Sequence, residues 1–238
     1  MSSARADRLG EQMLRRAGRL DDAFGLVLAL VVASLVLGAL LPSRVWAAVL
    51  ISVSVSTASI FAMTGSRARK VLVRSALWLG LVAIALAAIA AVSGERIWLD
   101  ACALVQVVLV TGGLMALLYR VVTSAEIGAR TILGALSVYA LLGILFTYIY
   151  VAIDLIQGGP FFTEVTHPGG SDFLFFSYST LTTTGFGNLV PGGQPGRMFA
   201  GIEMMAGQIV LVTLVAGVVL QWRPGESLRR RMAERAGG

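Results

Sequence analysis

Seven consecutive residues, Thr182-Thr183-Thr184-Gly185-Phe186-Gly187-Asn188, combine three hydroxyl side chains with two glycines that flank one aromatic. Glycine visits backbone conformations with φ > 0 without steric penalty. Glycine on both sides of Phe186 lets the chain alternate between conformations and aim successive carbonyl oxygens at one axis. The chemistry on offer is coordination. Backbone carbonyls, with the Thr183 hydroxyl as one more oxygen, can stand in for the water shell of a cation.

Such a ladder must be held in place, and the flanking sequence supplies the means. Ser171–Leu181 reads as a short helix, with Ser171 or Asp172 capping its positive end. Its eleven residues span about 16 Å, half the core of a bilayer. The five residues Thr183–Gly187, extended, reach roughly another 16 Å. A half-crossing helix with an extended return is re-entrant, a path open only where protein or water surrounds the backbone. Asn188-Leu189-Val190-Pro191 then turns outward and Gly196-Arg197 opens the next helix.

The run from Thr131 to Trp222 resembles the pore of the six-helix potassium channel superfamily. The resemblance implies K⁺ sites formed by Thr183, Thr184, Gly185 and Phe186, with Gly187 completing the filter. It implies filter support from Ser179, Asn188 and Glu203, and a hinge at Gly207. Gln208, Leu211 and Val215 share one helical face that would line a cavity. A fourfold ring built from one loop per chain implies a homotetramer. Three filter positions depart from the commonest pattern: Thr184 for valine, Phe186 for tyrosine and Asn188 for aspartate. The pore-helix acid of many relatives is also missing near Ser179. Neutral hydrogen bonds and the packing of Phe175, Phe176 and Tyr178 are expected to brace the filter instead. The alternative is a cation channel with little discrimination between K⁺ and Na⁺.

The rest of the chain fits a membrane protein. Hydrophobic residues make up 57% of it, charged residues only 13%, and the mean hydropathy is +0.83. Six runs are long and apolar enough to span: Ala23–Leu41, Val45–Met63, Val71–Val92, Ile97–Leu118, Thr131–Ile153 and Met198–Trp222. The expected fold is all-α, with six transmembrane helices and a re-entrant pore helix and filter between the fifth and sixth. Sixteen of the 19 Lys and Arg fall on one side of this arrangement, leaving only Arg44, Arg96 and Arg197 opposite. Positive residues favour the cytoplasmic side, so both termini are expected inside, in the inner membrane, with the filter loop outside. Topology accounts for the +6 net charge without a nucleic-acid partner.

The expected domains are a cytoplasmic segment 1–22, a four-helix module 23–121, a linker 122–130, the pore domain 131–222 and a tail 223–238. The module has the span count of a voltage sensor. Yet Ile97–Tyr119 carries no Arg or Lys, whereas sensor charges couple to the field at about 2.3 kcal/mol per charge per 100 mV. Strong voltage gating is therefore not expected, and Arg67, Lys70 and Arg74 read as topology anchors. The small residues Ser52, Ser54, Ser56, Thr57 and Ser59 suit close helix packing.

Competing functions find less support. A secondary transporter would call for inverted repeats and paired broken helices, and one such segment is present. An enzyme would need a nucleophile–base set, yet the single histidine, His167, falls in the Gly- and Pro-rich loop 157–170. That loop is expected to be an exposed turret, and Glu164 and Asp172, near the outer mouth, would concentrate cations. Cys102 is the only cysteine, so neither an intrachain disulfide nor a cysteine metal cluster is possible. No cofactor is expected; the partners are the bilayer and permeant K⁺. Glu203 is the sole acid in its span and is expected to accept hydrogen bonds from the pore helix.

Overall fold

The computed structural model describes residues 24–41, 46–64, 70–123 and 129–221. Expectations for segment 1–22, for Arg44, Arg67 and Arg69, for most of the linker and for tail 223–238 lie outside the described residues. Seven helices and no strand occur among those described. They are α1 (Phe24–Leu40), α2 (Ala47–Thr64), α3 (Lys70–Ser93), α4 (Arg96–Val122), α5 (Ala129–Ile156), α6 (Gly170–Leu181) and α7 (Gln194–Gln221).

Five of these, α2 to α5 and α7, are long and apolar enough to cross a membrane. The described part of the first apolar run, α1, closes at Leu40, one residue before the expected end, and Ala23 lies outside the described residues. At about 1.5 Å per residue, its length comes to roughly 25 Å. The other boundaries fall within four residues of the expected ones. Helix is the natural form for these runs, since lipid offers no partner to an unpaired N–H or C=O.

α2, α3 and α4 pack against one another, α4 packs on α5, and α5 meets both α6 and α7. Small residues permit the closest approaches, as the serine-rich second span led us to expect. A side chain at Gly113 would sit 2.9 Å from the Ser59 Cα, so α2 and α4 touch backbone to backbone. Ser52 and Ser56 instead meet Gln106, whose Nε2 donates to their hydroxyls at 2.9 and 3.1 Å. α1 docks on α5 at the Ser137 hydroxyl, which lies 3.0 Å from the Phe24 carbonyl and 2.8 Å from that of Leu133. The Arg120 guanidinium lies 4.3 Å above the Phe24 ring. At the opposite end, Arg96 of α4 bonds Asp154 of α5 at 2.6 Å.

Loop 157–170 is less exposed than its composition suggested. Phe161 and Phe162 are buried, packed against Phe173, Phe176 and Tyr150 with ring centroids 4.8–5.9 Å apart. Glycine and proline shaped the expectation, and the two large aromatics overrode it by anchoring the loop in the core. His167 and Glu164 are exposed.

Candidate functional site

α6 begins one residue earlier than expected, and its cap differs from the expected one. The N-cap is Gly169, and Asp172 sits at the third helical position. From there its carboxylate accepts the Gly169 N–H at 2.8 Å, the reciprocal half of a capping box. Glycine has no side chain to supply the other half. At 12 residues, α6 reaches about 18 Å.

The chain leaving α6 is suspended from that helix's last carbonyls, which have no partner within the helix. Thr183 N donates to Thr180 O at 2.9 Å, and Thr184 N and Gly185 N both donate to Ser179 O at 2.8 and 3.1 Å. Backbone φ is positive at Thr183 (56°), Gly185 (57°) and Gly187 (81°). Positive φ therefore recurs at every second residue. The two glycines were legible as such. Thr183 was not, because a β-branched residue meets a steric penalty in this region. Residues 182–188 are all exposed in the single chain.

The expected supporting residues fall in different places. Ser179 contributes its carbonyl, as above, while its hydroxyl donates to Phe176 O at 3.0 Å within the helix. Asn188 is exposed. Phe186 stacks on Phe175, with centroids 5.3 Å apart and planes at 28°. The Thr182 and Thr184 hydroxyls are 2.8 Å apart.

Glu203 is wholly buried. Tyr150 of α5 donates to one of its oxygens at 2.5 Å, and the Ser177 hydroxyl of α6 lies 2.6 Å from the other. Ser177 also lies 2.7 Å from the Gly143 carbonyl. This carboxyl thus ties α5, α6 and α7 together behind the extended segment. Tyr139 adds a bond to Leu181 O at 3.1 Å, and Tyr178 one to Ala140 O at 2.7 Å. Ser177, Tyr150 and Tyr139 were missed from sequence. The available signal was a hydroxyl inside an apolar helix, which alone does not say what it meets.

Gly207 lies against the end of α6. A Cβ there would fall 2.5 Å from Leu181 O and 2.9 Å from Leu181 Cδ1. α7 runs unbroken through this point, so close packing is what the glycine serves in this conformation. At the next position, Gln208 Nε2 lies 3.4 Å from the Thr183 hydroxyl. Leu211 and Val215 are exposed along the same helix, which is far less buried within the chain than α5.

Among the described residues no group of three His, Cys, Asp or Glu could hold a metal ion. The oxygens that the extended segment itself offers are carbonyls and hydroxyls. Residues 153–222 match a family model described as an ion channel. The match runs from the last turn of α5 through α6 and the extended segment to the end of α7. Over those residues the chain is similar to that family. With five helices long and apolar enough to span a bilayer, the chain is a multi-pass membrane protein. No curated protein and no solved structure matches the chain.

Proposed function

We propose that four copies of this chain form a potassium-selective channel conducting K⁺ passively through Thr183–Gly187. The observation that carries the reading is the alternation of positive φ at Thr183, Gly185 and Gly187, directly after a half-length helix. Alternation is what a ladder of carbonyls facing one axis requires, and each ring of such a ladder replaces part of an ion's water shell. α6 then enters the membrane halfway and returns as the extended filter, giving six spans with α1. The exposed apolar length of α7 and the exposed filter residues support a fourfold assembly in which copies cover one another. The charge bias supports cytoplasmic termini and an inner-membrane location, and the absence of Lys and Arg between Ile97 and Tyr119 of α4 supports weak voltage dependence.

A weakly selective cation channel is the second reading. It is favoured by one observation: the Ser179 hydroxyl donates within α6 and Asn188 is exposed, where many relatives carry a pair of carboxylates. The Glu203–Tyr150–Ser177 cluster supplies a different brace, which is why selectivity is preferred. The test is the reversal potential of purified protein in liposomes under opposed K⁺ and Na⁺ gradients. Potassium selectivity predicts a potential near the K⁺ equilibrium value, and a potential near zero would reject it in favour of the second reading.

A further inference from the structure

The four-helix module, whose α4 carries no Lys or Arg between Ile97 and Tyr119, borders a chamber. A cavity of about 490 Å³ opens between α1–α4 and the pore-side helices, at the end marked by the Arg96–Asp154 pair. That volume lies within the range of drug-sized ligand sites. Its walls are mostly apolar, including Ala48, Ile51, Ala91, Leu99 and Val151. Among the described residues its rim carries one guanidinium, that of Arg96, facing two carboxylates.

The two carboxylates are not equivalent. Asp154 has both oxygens engaged, one by Arg96 at 2.6 Å and the other by the Phe161 N–H at 2.9 Å. Asp100 lines the cavity and, among the described residues, meets a cation only at Arg96 Nε, 3.8 Å away and beyond hydrogen-bond range. Its side chain is 13% exposed. A shielded carboxylate with free acceptor capacity, facing an apolar chamber, complements a donor of positive charge with an apolar body. We propose that the cavity binds a hydrophobic amine, a compact apolar molecule with one protonated nitrogen, whose ammonium is taken by Asp100.

Occupancy reaches the element that carries the extended segment. Gly169, Gly170, Ser171, Phe173 and Leu174 of the α6 start line the cavity. So does Thr147, whose hydroxyl donates to the same Gly143 carbonyl that Ser177 contacts. A bound amine would therefore alter flux as well as bind; the flux effect rests on the channel reading, whereas binding does not.

The experiment is calorimetric titration of full-length protein in phosphatidylcholine nanodiscs with 1-adamantanemethylamine and its neutral counterpart 1-adamantanemethanol. The amine is expected to bind about tenfold or more tightly than the alcohol, as a charge-assisted hydrogen bond implies. Asp100→Asn should bring the amine down to the alcohol's affinity, and Ala91→Trp, which fills the chamber, should abolish both. Equal affinities for amine and alcohol, or amine binding unchanged in Asp100→Asn, would overturn the proposal by showing partition into lipid or seating in the ion pathway. If Asp100→Asn does not assemble, persistent amine binding in Ala91→Trp overturns it equally. Liposome K⁺ flux with and without the amine is measured in parallel. Binding without any flux in the untreated protein would sink the channel reading and leave the site standing.

Discussion

Replacing Gly207 by alanine separates two roles that glycine could fill at this point of α7. As a hinge, glycine lowers the cost of bending, and alanine would favour the straight helix by roughly 1 kcal/mol per subunit. The packing points the other way. The new Cβ would sit 2.5 Å from Leu181 O, whereas ordinary contact begins near 3.4 Å. About 0.9 Å must be made up by moving either α7 or the carbonyl that Tyr139 also holds at 3.1 Å. Overpacking of this kind costs about 1–3 kcal/mol, which outweighs the gain in helix propensity. Set against the gain of roughly 1 kcal/mol, the expected net loss is up to about 2 kcal/mol per subunit, or up to about 8 kcal/mol over a proposed tetramer, if the sites add. Thermal dissociation of purified oligomer, followed by gel shift, should move to clearly lower temperature. Leu181→Ala should not rescue it, because the closest atom is backbone. A Gly207→Ala oligomer as stable as the parent, with lower open probability at unchanged conductance, would refute the packing argument and restore the hinge.

Other outcomes follow from the same geometry. Tyr150→Phe leaves a buried Glu203 oxygen without its donor and should destabilise the protein by about 1–3 kcal/mol per subunit in thermal melts. Glu203→Gln, which can still accept from Tyr150, should be milder than Glu203→Ala; equal losses would show that the cluster is not held by these bonds. Gly185→Ala should abolish K⁺ flux in liposomes, since φ of 57° strains any side chain there; parental flux would mean that the filter lies elsewhere. Conductance in planar bilayers should vary only weakly with voltage, and a slope equivalent to several charges per subunit would contradict the reading of α4. Arg96→Ala should cost at most about 1 kcal/mol in stability, because the Arg96 side chain is 48% exposed and solvent screens the pair.

What the sequence disclosed followed from the length and regularity of its signals. Runs such as Val71–Val92 have no reading other than helix, and their ends were placed to within a few residues. Gly185 and Gly187 announced their backbone because glycine is the residue that tolerates it. Thr183 shares that conformation without any local sign, since the bond from its N–H to Thr180 O overrides its own preference. Glu203 was conspicuous as an acid in an apolar span, but its partners Tyr150 and Ser177 lie 53 and 26 residues away and meet it only in three dimensions. Phe161 and Phe162 misled for the opposite reason. Their Gly- and Pro-rich neighbours describe a loop, and burial was decided by the aromatic cluster waiting for them.

The positive φ at Thr183 has a thermodynamic corollary. Left-handed geometry costs a non-glycine residue about 1–2 kcal/mol, and a proposed tetramer contains four such residues around one axis. The same symmetry would bring four sets of carbonyl dipoles, oxygen first, toward each other. An empty conduit of this kind is a sprung object, pushed apart by its own charges and by its own backbone. A dehydrated cation seated among the oxygens reverses the sign of the first term and offsets the second. The permeant ion then becomes a structural ligand, and oligomer stability should climb by about 1.4 kcal/mol for each tenfold rise in its concentration above the dissociation constant of a single binding event. On this view, what the protein transports is also part of what holds it together.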